Sequence, residues 1–205
     1  DAAEAVLAPL RQARGLVPAG TAAAAAADAL LERGARAMAW VGFRFERTEG
    51  DAFDERGVLF HLGTKGGTQP YANPHGGDSG VVASMSSVQR GDPKYLTEHR
   101  HGRAVLNYTQ NKPGQWAAVD LGASHRLVLD HYALRHDDNN CYLRSWTLEA
   151  SNDADTWQPL REHKNDASLA GSMAVAAWAL DGAAVGGRSF RPFRVRQTGK
   201  NAYPD

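Results

Sequence analysis

The stretch from Trp116 to Leu160, WAAVDLGASHRLVLDHYALRHDDNNCYLRSWTLEASNDADTWQPL, decides the fold of this chain. Two largely apolar runs, Trp116–Leu121 and Arg126–Arg135, are followed by an almost wholly polar segment. From Trp146 to Ser151, apolar and polar residues alternate, which is the period of a half-buried β-strand. The pattern predicts a strand, a longer strand, a polar loop and a third strand.

The residues that follow predict a turn and a return to the same sheet face. Ser151–Asp155 is rich in Asn and Asp, which hydrogen-bond their own backbone and tolerate left-handed conformations. Trp157 and Leu160 then resume the apolar face. We therefore expect Trp116, Trp146 and Trp157 to lie between two sheets.

Four further segments are predicted to be strands, which makes the fold class all-β. They are Gly57–Leu62, Val81–Met85, Ala174–Leu180 and Phe190–Thr198. In the last one, Phe193 and Val195 should face inward and Arg194 and Arg196 outward, because successive side chains alternate across a strand.

The first part of the chain has a different composition. Residues 1–20 mix Ala, Arg, Pro and Gly and are interpreted as a tether or linker. Thr21 can cap a helix that runs to about Ala37, because Ala, Leu, Glu and Arg favour helices. A short lead-in strand over Trp40–Phe45 completes a segment 21–48. The helix is expected either to pack on the side of the sandwich or to bind a partner.

Several motifs, in this order and spacing, resemble the discoidin, or coagulation-factor C-type, family. They are WAAVDLG (116–122), SWTLEASNDADTW (145–157), FDERGVLFHLGT (53–64) and the Asn73-Pro74 step. The upstream motifs resemble the intracellular branch that occurs in BTB proteins and in HECT-type ubiquitin ligases. The resemblance implies a galactose-binding-like jelly-roll β-sandwich over residues 53–205, lacking the family's last strand. It also implies a non-catalytic module.

Composition and charge exclude several classes of function. The 205 residues carry 23 Lys and Arg against 23 Asp and Glu, so no global charge favours nucleic acid or an anionic membrane. Cys141 is the only cysteine and cannot form an internal disulfide, which favours a reducing compartment. The first residues lack the charged and apolar regions of a signal peptide. We expect an intracellular, cytoplasmic protein.

The motifs that could carry chemistry are incomplete. Gly77–Gly80 spells GDSG, but no histidine base accompanies it at the spacing of a serine protease. Asp137–Asn140 is oxygen-rich without the spacing of a calcium loop, and His99 and His101 lack a third ligand nearby in sequence. We therefore predict no enzyme activity, no metal and no cofactor.

The candidate binding site is distributed over loops at one end of the sandwich, where the family holds its ligands. The loops are 63–74, 90–115, 135–144 and 200–203. Their candidate ligand-binding residues are Tyr71, Asn73, His101, Arg135, His136, Asn140, Tyr142, Arg144 and Asn201. Such Arg, Tyr and Asn side chains can grip a peptide or a sugar. Alternatively, Arg135 and Arg144 brace the loops through backbone carbonyls.

These observations lead to two functional hypotheses. The first is a protein-interaction module of a larger multidomain protein, such as a ubiquitin-ligase component or scaffold, with a protein, a peptide or other subunits of the assembly as partner. The second is a carbohydrate-binding module in which Tyr71 and Tyr142 stack on a glycan. Few bulky apolar residues occur in the loops, so membrane insertion is not expected.

Overall fold

Contacts divide the chain into two units, Asp1–Arg44 and Phe45–Asp205. The computed structural model describes residues 2–38, 43–53, 55–99, 106–136 and 141–202. Part of the predicted lead-in strand over Trp40–Phe45 lies outside these residues, and its described part, from Phe43 on, forms no strand. None of the described helices is both long and apolar enough to cross a bilayer.

The first unit is a pair of helices, α1 (Ala2–Gly15) and α2 (Ala22–Met38). The predicted N-terminal helix is confirmed as α2, and Thr21 Oγ1 accepts a hydrogen bond from the Ala24 amide at 3.1 Å, as an N-cap should. Helix α1 occupies most of the segment that we interpreted as a tether. The helix contains Pro9, but most of its other residues favour helix formation.

A bidentate ion pair joins the two helices. Arg14 Nε and Nη2 donate to the two carboxylate oxygens of Asp28 at 2.6 and 2.8 Å. Leu7 of α1 and Ala24 of α2 are buried.

The described residues of the second unit form seven strands in two antiparallel sheets and three short helical turns. The strands are β1 (Val82–Met85), β2 (Trp116–Asp120), β3 (His131–Arg135), β4 (Trp146–Ala150), β5 (Gln158–His163), β6 (Val175–Ala179) and β7 (Pro192–Gln197). One sheet has the order β1-β2-β7-β4-β5, and the other pairs β3 with β6. The helical turns are α3 (Val58–Gly63), a 3₁₀ helix (Pro93–Thr97) and α4 (Gly182–Val185). The predicted all-β sandwich is confirmed.

The core lies between the two sheets and forms two neighbouring clusters. One contains Leu148 of β4 and Leu160 of β5, with Phe193 and Val195 of β7 packed against it. The other is built around Trp146 of β4 and Trp178 of β6. The predicted inward direction of Phe193 and Val195 is therefore confirmed.

The turn between β4 and β5 is held by Asp153, as the Asn and Asp content predicted. Its Oδ1 accepts from the amides of Thr156 and Asp155 at 2.8 and 2.9 Å and from the Ser151 hydroxyl at 2.8 Å. These bonds, that from the Thr156 amide first, hold the pKa of Asp153 well below its usual range. The turn fixes where β5 starts.

One predicted strand is wrong, and another is longer than the strand that forms. Gly57–Leu62 was predicted as a strand, but Val58–Gly63 is the helical turn α3. A short apolar run bounded by glycines suits a buried helical turn as well as a strand, and periodicity cannot separate the two. In the run Arg126–Arg135 only its last five residues form β3, and Leu127 makes an isolated bridge to Phe190.

The outward face of the five-stranded sheet also differs from the prediction. Trp157 does not lie between the sheets, because its ring packs 4.1 Å from the guanidinium carbon of Arg194, which points outward. Trp116 is paired with Arg196 and shares that outward face. Glu149, predicted to be on the solvent side, is buried because the long side chains around it cover it.

Trp146 connects the two sheets through a chain of hydrogen bonds. Its Nε1 donates to Tyr132 Oη of β3 at 3.1 Å, and Tyr132 Oη lies 2.7 Å from His163 Nε2 of β5. His163 Nδ1 is 2.6 Å from Asp166 Oδ2. The indole of Trp146 also stacks on the His163 ring at 4.0 Å with an interplanar angle of 7°.

This chain is complete only when His163 is neutral. With the proton on Nδ1, the imidazole donates to Asp166 and accepts from Tyr132, so each buried group has a partner. A second proton on Nε2 would face the Tyr132 hydroxyl and displace its hydrogen. Burial lowers the pKa of His163 below its ordinary value of 6.5 despite the nearby Asp166.

We expect the free energy of unfolding to fall as the pH drops below about 6.5, because His163 then takes up a proton more readily in the unfolded chain than in the folded one. The loss grows until the pH reaches the lowered pKa of the folded state. Urea unfolding at a series of pH values from 8 to 5 measures it. His61, whose pKa burial also lowers, contributes in the same direction.

The variant His163→Gln isolates the contribution of His163. It keeps a hydrogen-bonding side chain but removes the titrating ring, so its stability should depend less on pH than that of the wild type. Parallel curves for the two proteins would show that His163 does not cause the effect.

Candidate functional site

The predicted loop end lies where β3 and β7 finish and where β4 begins. The Thr198 amide donates to the Ser145 carbonyl at 2.9 Å, and the His136 amide donates to the Ala174 carbonyl at 2.8 Å. The first bond places the segment after β7 next to the entry into β4, and the second places the segment after β3 next to the entry into β6 (Val175–Ala179). The described part of the site divides into two groups of side chains and one separate arginine.

The first group holds the loop around the 3₁₀ helix. Asn73 Nδ2 donates to the Lys94 carbonyl at 2.9 Å, and its Oδ1 accepts from Thr97 Oγ1 at 2.7 Å and from the His75 amide at 2.9 Å. The Tyr71 hydroxyl donates to the Thr97 carbonyl. Burial, followed by the nearby Glu98 charge, raises the pKa of Tyr71 to about 12. Both side chains therefore have their hydrogen-bonding groups engaged within the chain.

Arg135 braces the same loop. Its Nη1 donates to the His99 carbonyl at 3.1 Å and its Nη2 to the Glu98 carbonyl at 3.2 Å. The guanidinium carbon lies 4.7 Å from the centre of the Phe53 ring, a cation–π contact. Burial lowers the pKa of Arg135. Of the two alternatives for Arg135, these contacts favour bracing through backbone carbonyls.

A cluster of aromatic rings beside Arg135 was missed by the sequence analysis. Phe60 packs on Tyr71 at 5.6 Å and on His99 at 4.9 Å, and Phe53 stacks with His99 at 6.2 Å. Glu55 lies 2.8 Å from His99 Nε2. A helical interpretation of Gly57–Leu62, in place of the predicted strand, could have placed Phe60 on a packed face.

The close approach of α3 to Tyr71 requires a glycine. Gly63, the last residue of α3, is buried against the Tyr71 ring, and a Cβ atom at this position would clash with it. Tyr71, which is half-buried, thus packs against Gly63, Phe60 and His99.

The second group joins the end of the described chain to the loop after β3. His136 and Tyr142 make an edge-on ring contact at 6.3 Å, and the Tyr142 carbonyl accepts from the Ala202 amide at 3.0 Å. The Asn201 amide donates to Asn111 Oδ1 at 3.2 Å. Tyr142 also packs, partly buried, against the core cluster around Trp146.

Arg144 differs from Arg135 in how its guanidinium is used. Within the described chain its side chain makes one long hydrogen bond, from Nη2 to Asn165 Oδ1 at 3.4 Å. Its carbonyl accepts from the Asp166 amide at 2.8 Å, which fixes the backbone. Arg144 therefore presents most of its N–H donors from a rigid position.

Two predicted site residues, His101 and Asn140, lie outside the described residues. The structure brings Tyr71, Asn73 and Arg135 together around Thr97–His99, and separately brings His136, Tyr142 and Asn201 together. Their role in ligand binding stays a prediction.

The other motifs raised by the sequence have structural roles where the structure describes them. Ser79 of the GDSG motif donates to the Pro74 carbonyl at 3.0 Å within a turn. Among the residues with described positions, no three His, Cys, Asp or Glu side chains are arranged to hold a metal ion.

Comparisons with known proteins give relatives of two kinds. The chain is 31% identical over 153 residues to a BTB/POZ domain-containing protein of Arabidopsis thaliana, and 32% identical over 155 residues to the E3 ubiquitin-protein ligase Ufd4 of Drosophila melanogaster. The resemblance to the discoidin branch of BTB proteins and ubiquitin ligases is confirmed. Each match covers 73% of this discoidin-like chain but only 19% and 6% of the two relatives.

No family model matches the chain. Among solved structures, a family 32 carbohydrate-binding module of Clostridium perfringens in complex with galactose aligns at 14% identity and a TM-score of 0.44, covering 60% of this chain and 85% of that one. A chitosan-binding module from Paenibacillus sp. IK-5 aligns at 16% identity and a TM-score of 0.44, covering 61% and 86%.

The contrast between Arg135 and Arg144 gives a stability prediction. Arg135→Ala should lower the free energy of unfolding by about 2 kcal/mol, because two backbone carbonyls lose a charged donor. Arg144→Ala, the matched control at the same end of the sandwich, should change it by less than about 0.5 kcal/mol. Urea unfolding measures both. Equal stability of the wild type and Arg135→Ala would contradict the bracing role.

Proposed function

We propose that this discoidin-like chain is a non-catalytic protein-interaction module of a larger intracellular, cytoplasmic multidomain protein, such as a ubiquitin-ligase component or scaffold. The observation that carries the proposal is the pair of relatives. A stretch equal to 73% of this chain recurs in a BTB/POZ domain-containing protein and in an E3 ubiquitin-protein ligase, where it makes up 19% and 6% of the protein. A unit that recurs as a small part of different proteins is expected to act as a module.

The packing of the predicted aromatic residues favours a protein partner over a glycan. A sugar ring needs an accessible aromatic face to stack on. Half-buried Tyr71 packs against Phe60, His99 and Gly63, and half-buried Tyr142 packs against the core cluster and contacts the His136 ring. Both rings are thus engaged within the protein.

One arrangement among the described residues resembles catalytic machinery, and it is buried. His163 lies between Asp166 and Tyr132 with the spacing of a base and its orienting carboxylate. The His163 side chain is only 3% exposed and is stacked under Trp146, so a substrate has no path to it. This burial supports a non-catalytic role.

We assign the interaction to the loop end, with Arg144 as its main contact and His136 and Asn201 as further contacts. Arginine is suited to bind carboxylates or backbone carbonyls of a partner because its planar guanidinium presents several donors in a fixed geometry. Arg135 contributes indirectly by holding the loop around Thr97–His99.

The test compares three immobilised proteins in quantitative affinity purification from cytosolic extract of the source cells. They are the wild type, His136→Ala with Arg144→Ala, and Arg126→Ala. Arg126 is a matched control because it is an exposed arginine that also donates to one asparagine, Asn152, in another part of the sandwich. At least one protein should bind the wild type and the control and be depleted about tenfold on the double variant. The same set of captured proteins on all three would contradict the site.

A glycan array tests the second hypothesis. We expect no saturable binding to any glycan. Binding that is abolished by Tyr142→Ala, in a variant shown to be folded by its amide NMR spectrum, would instead identify the chain as a carbohydrate-binding module.

A further inference from the structure

The outward face of the five-stranded sheet carries three charged side chains flanked by two tryptophans, a set here called the outer ladder. Its members are Trp116, Arg196, Glu149, Arg194 and Trp157. Strand register sets the order, because Trp116 is opposite Arg196 across β2 and β7, and Arg194 is opposite Glu149 across β7 and β4. The ladder lies on the side of the sheet away from the core, since the intervening Val195 and Leu148 face the core clusters.

Glu149 is the only carboxylate of the outer ladder, and both arginines bind it. Arg194 Nε donates to Oε2 at 2.6 Å, and Arg196 Nε and Nη2 donate to Oε1 at 2.9 and 2.7 Å. Burial by itself would raise the pKa of Glu149, but the hydrogen bonds from the arginines outweigh it and lower the pKa. Glu149 is therefore ionised, and two positive charges share one negative charge.

The arginines keep donors that the chain does not use. Within the described residues, both terminal nitrogens of Arg194 and the Nη1 of Arg196 have no acceptor. The two side chains are 18% and 36% exposed, so these nitrogens are open to solvent. Two nearby ion pairs are one to one, Asp120 with Arg191 at 2.9 Å and Glu162 with Lys164 at 3.3 Å. In the outer ladder, by contrast, two arginines share one carboxylate.

Tryptophan rings flank the unused donors. The Trp157 ring is fixed by a hydrogen bond from its Nε1 to the Ala154 carbonyl at 2.9 Å, and it holds the Arg194 guanidinium at 4.1 Å. Stacking on an aromatic ring orients a guanidinium while leaving its edge free to donate. At the other end, half-buried Trp116 lies beside Arg196. A preorganised guanidinium loses little entropy when it binds an anion.

Arg188 is an arginine of the same protein whose guanidinium is used only for contacts within the chain. Its guanidinium also lies over an aromatic ring, that of Phe190 at 5.8 Å. Its Nε, Nη1 and Nη2 donate to the Val185 carbonyl, to Gln158 Oε1 and to the Ala184 carbonyl, at 3.1, 2.7 and 3.0 Å. All three of its nitrogens are therefore engaged, in contrast to Arg194.

We propose that the outer ladder is a docking surface for an acidic segment of another protein, whose carboxylates bind the unused donors of Arg194 and Arg196. The planar guanidinium edge matches the geometry of a carboxylate, and such charge-assisted bonds are the stronger class of hydrogen bond. The flanking tryptophans exclude water from the contact, which strengthens it. This surface is separate from the loop end and does not depend on the function proposed for it.

The test follows arginine and tryptophan side chains directly by NMR. The ¹⁵N-labelled wild type is titrated with a hexaglutamate peptide, and hexaglutamine serves as the neutral control. The Nε–H signal of Arg194 and the indole N–H signal of Trp157 should shift saturably with hexaglutamate only. The Nε–H signal of Arg188 should not move. Equal shifts of Arg188 and Arg194, or no shift of Arg194, would overturn the proposal.

Three variants sharpen the result. Arg194→Gln should weaken hexaglutamate binding about tenfold, since a charged hydrogen-bond donor pair is lost. Arg188→Gln, the matched control, should leave affinity within about twofold. Glu149→Gln should tighten binding, because it removes the internal competitor for the two arginines. Weaker binding by Glu149→Gln in a folded protein would show that the peptide does not bind the ladder arginines. Because the wild-type titration needs no variant, the test holds even if one of them fails to fold.

Discussion

The sandwich depends on one buried connection, the hydrogen-bond chain from Trp146 through Tyr132 and His163 to Asp166. Trp146 is fully buried on the larger sheet, and Tyr132 belongs to the smaller one, so the Nε1–Oη bond crosses the core. Close apolar packing holds the sheets together and already favours one fit between them. A directional bond in the core restricts their offset further, because any sliding of the sheets leaves a buried donor without its acceptor. The neutral state of His163 is part of this constraint. Only then can Trp146 donate to Tyr132, Tyr132 to His163, and His163 to Asp166.

The sequence was sufficient for those parts of the fold that follow a local period. The alternation over Trp146–Ala150 and over Pro192–Gln197 predicted both central strands and the inward direction of Phe193 and Val195. It was insufficient where the outcome depends on neighbours that are distant in sequence. Val58–Gly63 is helical because its apolar side packs into an aromatic cluster completed by Tyr71 and His99.

The same limit explains the errors on the outward face and at the loop end. The alternation of strand residues correctly predicts that Glu149 points to the outward face. It does not predict that Glu149 is buried, because the arginines that cover it lie on β7, far from β4 in sequence. At the loop end, Arg135 and Arg144 look equivalent in sequence. Arg135 reaches the carbonyls of residues 98 and 99, a contact with no signal in the local pattern, whereas Arg144 has one long bond to Asn165. The residue types of a site could be predicted, but not which of them are engaged within the protein.

The outer ladder also has a structural effect that bears on its role. A slip of β4 against β7 by one residue would turn Glu149 toward the core and leave both arginines without a carboxylate. The ladder therefore fixes register on the outward face, as the Trp146 chain fixes it between the sheets. Register alone would need only one arginine, because a single pair with Glu149 already distinguishes the two faces. The second guanidinium satisfies the other carboxylate oxygen of buried Glu149, so the fold uses both arginines. Glu149 does not use their remaining N–H donors, and a binding role accounts for these.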